Sequence, residues 1–136
     1  MPLTIRPANG LDIDQLLPLV EKYRAFYKQE PSASTRQYLV DRVESGEAIV
    51  YLATLDSHLI GFTLVYPTFS TVSLSRIWLL NDLYVEFNYR GQGIAGALMA
   101  RVEADARQAG ATRVFLRTAH DNTGAQALYE GRGYLH

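Results

Sequence analysis

A chain of 136 residues with 48% hydrophobic content is the size of one folded domain, spanning residues 1–136, long enough to bury a core and too short to split in two. Thirteen basic residues against fourteen acidic ones leave a net charge of -1, which gives no general attraction for nucleic acid or an anionic membrane, so any anion site has to be local. The absence of cysteine excludes disulfides, thiol nucleophiles and thiolate zinc sites, and with no leader segment and no long apolar run the expected location is cytoplasmic.

Residues 3–6, Leu-Thr-Ile-Arg, read as a short alternating strand closed by Pro7. Asn9 or Asp12 then caps a helix in which Ile13, Leu16, Leu17 and Val20, followed by Tyr23 and Tyr27, recur at helical spacing. Pro18 falls inside that pattern and is expected to kink the helix or to mark the end of a short first turn. After Pro31, Ser32 or Ser34 caps a second helix carrying Tyr38, Leu39, Arg42 and Val43, ended by Gly46. Two nearly continuous apolar runs, 48–55 and 59–66, are strands joined through Asp56-Ser57-His58, and their apolarity predicts helices over both faces. Residues 67–75, rich in Ser and Thr, read as a loop or twisted strand end. A long strand over about 76–87 is the candidate for the central one; Asn81 and Asp82 interrupt its apolar series, as a bulge or as polar residues facing solvent.

The segment that follows carries the chemistry. Strand residues Leu83, Tyr84 and Val85 lead through a polar turn to Arg90-Gly91-Gln92-Gly93, which runs straight into a helix over 94–108, ended by Gly110. Such a junction points unpaired backbone N–H groups outward at the positive end of a helix dipole, an arrangement suited to a phosphate. Glycine lets the backbone approach closely, and Arg90 adds a permanent charge with a donor fork. Gly91, Gly93 and Gly96 also fit a dinucleotide-binding GxGxxG, with Asp121 as the ribose acid. In that fold, however, the glycines follow the strand at once, near the start of the domain, whereas here about 80 residues come first, and a turn and Arg90 separate the strand from the glycines. Val114, Phe115 and Leu116 form the next strand, within 114–118, parallel to the previous one because a helix crosses between them. Asp121 or Asn122 caps a last helix through Ala127, Leu128 and Tyr129, stopping at Gly131 or Gly133.

On these residues the chain resembles the GNAT acetyltransferases. Arg90, Gly93 and Ala95 match that superfamily's pyrophosphate motif, and Asn122, Tyr129 and Gly133 match its later Asn, Tyr and Gly-aromatic motif; with the strand at 79–85 the resemblance spans about 50–134. The segment WLLNDLYV is most similar to the spermidine/spermine-type small-amine members. The resemblance implies an α/β (or α+β) GNAT fold, with a mixed central sheet, antiparallel N-terminal strands, a parallel pair splayed around the cofactor and helices on both faces. It implies acetyl transfer from acetyl-CoA to a primary amine by direct attack in a ternary complex. The pantetheine arm would lie along Leu83, Tyr84 and Val85, the pyrophosphate on the amides of Gly91, Gln92, Gly93, Ile94 and Ala95 beside Arg90, with Asn122 and Tyr129 also at the cofactor. The Leu83 N–H would receive the thioester oxygen and Tyr129 would be the acid, unless it is a core aromatic of the last helix.

Where the polyamine enzymes show Glu then Asp, this chain has Asn81 then Asp82, so the base falls to Asp82, to Glu86 through water, or to no protein group. His58, His120 and His136 lack ligand spacing, and no metal is expected. Tyr23, Phe26, Tyr27 and Glu30 cluster before Pro31 and, with Asn81, are the candidate acceptor-binding residues, aromatics beside an acid suiting a cationic amine. A catalytically silent acyl-CoA-binding module and a dinucleotide-binding domain are the alternatives. The family normally continues with further strands after Tyr134, which predicts an uncovered edge at 114–118 and either a truncated chain or, as expected here, a homodimer whose interface includes the last helix or that strand.

Overall fold

The computed structural model describes residues 2–117, and Asp121, Asn122, Tyr129 and the predicted fourth helix lie outside that range. Its elements are β1 (Leu3–Pro7), α1 (Ile13–Phe26), α2 (Thr35–Glu44), β2 (Ile49–Leu55), β3 (His58–Ser70), β4 (Ser75–Val85), α3 (Ile94–Gln108) and β5 (Val114–Leu116). The described strands form one sheet in the order β1-β2-β3-β4-β5, antiparallel from β1 to β4 and parallel between β4 and β5. The middle place among them belongs to β3, not to β4 as the apolar run predicts.

Apolar strands are buried on both faces, as expected. On one face Leu98, Met99, Val102 and Ala106 of α3 pack on Tyr51, Val65, Trp78 and Leu80; on the other Ile13, Leu16, Val20 and Leu39 of α1 and α2 pack on Val50, Leu52, Phe62 and Leu64. Asn9 closes a capping box with Asp12 over a 3-10 turn at Gly10–Asp12, and α1 then runs through Pro18 as one element. Asp56 and Ser57 both take positive φ, so the β2–β3 connection is a two-residue turn and His58 already pairs with Leu55.

Of the two readings of 67–75, loop or strand end, the strand end holds as far as Ser70: β3 continues to that residue and pairs with β4 from Ser75 as a hairpin. Pro67 is tolerated because β2 reaches only as far as Val65, where its first residue Ile49 pairs, and because Trp78, facing Pro67, turns its N–H away to the Arg113 carbonyl. Pro67 thus sits at a position where no ladder donor is required.

The predicted bulge lies in β4. Leu64 pairs with Asp82 but Val65 pairs with Leu80, leaving Asn81 as the extra residue. One inserted residue reverses the facing of everything after it. Trp78 and Leu80 before the bulge and Leu83 and Val85 after it all pack toward α3, while Tyr84 packs beside Phe62 on the α1 side. Asp82 is thereby carried to the α1 side, facing Tyr23.

Candidate active site

Three features converge on the second half of β4. The first is a strand edge. The Asp82 carbonyl accepts from the buried Thr63 hydroxyl at 2.7 Å and the Glu86 N–H donates to the Ile60 carbonyl at 2.8 Å, so both face β3. By strand alternation the backbone groups of Leu83 and Val85 face the opposite edge. Pairing with β5 stops at Leu80, whose carbonyl takes the Arg117 N–H at 3.0 Å; beyond it, among the described residues, no strand pairs with that edge.

The second is the loop into α3. Gly91 and Gly93 have φ of +77° and +80°, values that side-chain-bearing residues adopt at a cost, which is why glycine stands at both. A Cβ at Gly91, Gly93 or Gly96 would meet nothing within 4 Å, so the outer side of this turn is open. Gly93 is the N-cap and offers no side chain to the first helical N–H groups, while the Gly93 carbonyl accepts the Ala97 N–H at 3.0 Å. The N–H groups of Ile94, Ala95 and Gly96 therefore have no intrahelical partner. Ile94 buries its side chain under the sheet, leaving its backbone at the turn. Arg90 is placed differently from a free phosphate ligand: its Nε donates to the Val85 carbonyl at 2.8 Å, and its guanidinium lies over the Tyr84 and Phe87 rings. Gln92, exposed, reaches the Asn88 carbonyl only at 3.4 Å.

The third is a pocket of about 350 Å³, lined among the described residues by Tyr23, Arg24, Tyr27, Gln29, Asn81, Asp82 and Arg117. The bulge builds it. The Asn81 carbonyl, released from the ladder, accepts the Tyr23 hydroxyl at 3.2 Å, and the Asn81 side-chain amide donates to the Asp82 carboxylate at 2.9 Å. Burial pushes the Asp82 carboxyl up to about 6, against the opposing pull of the Tyr23 hydroxyl, the Asn81 amide and the Arg117 charge. The same burial, with the neighbouring Asp82 charge, drives the Tyr23 hydroxyl far above the ordinary tyrosine value, so it stays a donor. Burial also raises the Tyr84 hydroxyl to about 12, and that group bonds Glu86 at 2.8 Å.

Of the predicted acceptor residues, Tyr23, Tyr27 and Asn81 come together around Asp82. Phe26 is exposed and stacks edge-on against Tyr27, outside the lining. Glu30 is exposed and does not line the pocket; its carbonyl accepts from Arg24 at 2.8 Å, so its contribution is to hold an arginine. Glu86 is unsuited to the proton-accepting role the sequence left open to it: ion pairing with Lys22 at 2.8 Å and the Tyr84 hydroxyl hold its carboxyl below the ordinary value. Arg24, Gln29 and Arg117 are lining residues that sequence reasoning missed. Arg117, following the apolar run Val114–Leu116, carried the only available signal, a charge at the end of a buried strand. Asn122 and Tyr129 lie outside the described residues.

The described fold is a mixed sheet whose parallel pairing ends at Leu80, beside a helix N-terminus opened by glycine. The Acetyltransferase (GNAT) family pattern matches residues 15–134, and the chain belongs to that family. It is 39% identical to the uncharacterized N-acetyltransferase YhfO of Bacillus subtilis (strain 168), over 97% of this chain and 89% of that one. To a probable acetyltransferase of Haemophilus influenzae it is 31% identical, over 71% of this chain and 67% of its relative. The crystal structure of a probable acetyltransferase superposes with a TM-score of 0.89 at 37% identity, covering 100% of this chain and 91% of the other. A predicted acetyltransferase of Clostridium acetobutylicum, solved with acetyl-CoA, shares the fold at a TM-score of 0.83 and 16% identity, over 99% of this chain and 91% of that one. The protein is thus an acetyltransferase of a family that uses acetyl-CoA.

Proposed function

We propose that the protein moves the acetyl group of acetyl-CoA to a primary amine by direct attack, both substrates being held at once and no covalent enzyme intermediate being formed. The observation that carries this reading is the meeting, at the second half of β4, of a backbone edge at Leu83 and Val85 that no described strand pairs with and on which Arg90 holds the Val85 carbonyl, a helix N-terminus at Gly93 without a side-chain cap, and a carboxylate pocket at Asp82.

The residues fit the cofactor: the outer side of the glycine turn is open, and the first N–H groups of α3 have no side-chain cap, as a bound phosphate requires. The backbone from Gly91 to Ala95 would hold the pyrophosphate, and the Leu83 and Val85 edge the amide-bearing arm, as an added strand pairs. Acetyl-CoA supplies an activated thioester with a good leaving group. The Leu83 N–H is the donor for developing negative charge, a contribution of roughly 3 kcal/mol where such donors have been removed. Asp82, with a pKa near 6, is ionised at neutral pH yet basic enough to take a proton from an ammonium, directly or through one water. Tyr23 and Asn81 fix the carboxylate's position. Tyr129 is assigned the acid role on the family motif. Following free thiol with acetyl-CoA and a panel of amines tests the reading: thiol release that depends on both substrates, with intersecting initial-rate lines, is expected. Acetyl-CoA binding without amine-dependent thiol release would contradict it and indicate a silent binding module.

A further inference from the structure

The charges in the acceptor pocket do not match a purely cationic amine. Asp82 is the one carboxylate in the described lining. Arg24 is neutralised in place, its Nη1 bonded to the Glu21 carboxylate at 2.7 Å and to the Glu30 carbonyl at 2.8 Å. Arg117 is different. Among the described residues no carboxylate forms an ion pair with it, and Asp82 feels its charge only through space. A carboxylate and a guanidinium thus share one pocket and are held apart instead of cancelling, which leaves each free to meet a charge on a ligand.

From this juxtaposition of Asp82 and Arg117 we infer that the acceptor is a small zwitterionic amine, an amino-acid-like molecule whose primary amine meets Asp82 while its carboxylate meets Arg117. The inference rests on the acetyl-transfer reading above and gives it a substrate class. The Tyr23 and Tyr27 rings, 5.1 Å apart, border the Asp82 end and offer aromatic faces to an ammonium. At the other end, Arg117 presents a donor fork suited to a carboxylate, with the Gln29 side chain in the same wall. The span is short. Arg117 is bonded beside Leu80, two residues before Asp82, so the two charged side chains are rooted within about 7 Å along the strand. A volume of about 350 Å³ lies at the small end of ligand sites, which run from roughly 300 to 1,000 Å³. A polyamine would bring its second ammonium against Arg117 and find no second carboxylate among the described lining residues, so the resemblance of WLLNDLYV to the polyamine enzymes does not extend to the charge pattern of this described lining.

The test compares amines that differ only in the carboxylate, at saturating acetyl-CoA with thiol release as the readout: lysine against 1,5-diaminopentane, and β-alanine against ethylamine. The carboxylate-bearing member of at least one pair is expected to have a kcat/KM roughly 10- to 100-fold higher, the worth of one charge-assisted hydrogen-bond pair. In Arg117→Gln that ratio should collapse toward one, and in Arg117→Lys part of it should return; a ratio taken within one preparation is unaffected by the fraction of protein folded. Equal or faster turnover of the amines without a carboxylate overturns this inference and leaves amine acetylation standing. If acetyl-CoA binds and no amine of the panel is acetylated, the inference falls together with the reading beneath it.

Discussion

The two ends of β4's second half are built from different materials. On the cofactor side nearly everything that faces outward is backbone: the Leu83 and Val85 edge, the glycine turn and the first N–H groups of α3. On the acceptor side nearly everything is side chain, drawn from α1, the segment after it, the bulge and the end of β5. A backbone site needs only a contiguous stretch with the right breaks in it, so it tolerates replacement of most of its residues. A side-chain pocket needs distant segments in register, and one slipped residue empties it. On the proposed assignment the cofactor side sets the chemistry that the family shares, and the acceptor side sets what is distinctive to this chain.

Substitutions can separate the two. The largest effect is expected from Asp82→Asn, which keeps the shape and the Asn81 contact but removes the proton acceptor: kcat should fall by roughly 100- to 10,000-fold with acetyl-CoA affinity unchanged. Its stability should move the other way. The folded pKa of Asp82 stands near 6 against an ordinary 3.8, so the unfolded chain ionises first as pH rises. The wild type is thus not penalised below pH 3.8, loses stability through the interval, and carries the full cost above 6. Asp82→Asn should accordingly melt higher than wild type at pH 8 and alike at pH 3.5, read by thermal denaturation at both values; a lower melting temperature at pH 8 would show that the carboxylate is not strained by burial.

Gly96→Glu acts on the other side. Gly96 lies in the first turn of α3 with open space where a Cβ would go, and an acid there suits the helix dipole. The fold should be as stable as wild type or slightly more so, while like-charge repulsion weakens acetyl-CoA binding on the order of 100-fold by calorimetry. Undiminished affinity would move the pyrophosphate elsewhere. Gly93→Val would be the poorer test, because a branched residue at a φ of +80° strains the turn itself. The smallest effect is expected from Tyr23→Phe, which strips the hydroxyl from the Asn81 carbonyl: a loss of about 1 kcal/mol in stability, and a displacement of the kcat/KM pH midpoint to higher pH, because the hydroxyl lowers the Asp82 pKa. A midpoint that stays put or falls would remove Tyr23 from the support of Asp82.

The same division explains what could be read from the sequence. The strands, the helices and the glycine turn are local patterns, and the turn's chemistry follows from Gly91, Gly93 and the start of α3 alone. Two adjacent polar residues in an apolar strand were sufficient to raise the possibility of a bulge, although not to say which of them is the extra residue. The extension of β3 through Pro67 was legible only as one of two readings because its Ser and Thr residues resemble loop composition, and pairing with β4 past the last partner in β2 decides for the strand. Arg117 and Asp82 stand 35 positions apart in the chain, and no spacing rule joins them; the parallel pairing that brings the Arg117 N–H to the Leu80 carbonyl does.

The central claim is that Asp82 takes the proton of the attacking amine. Its most direct measurement is kcat/KM for an amine acceptor between pH 4.5 and 8, in wild type and in Asp82→Asn. The wild-type profile should rise with pH through a midpoint near 6 as Asp82 ionises, and that inflection should be missing from the variant. The same inflection persisting in Asp82→Asn, at comparable rates, would contradict the account and assign the proton to another group.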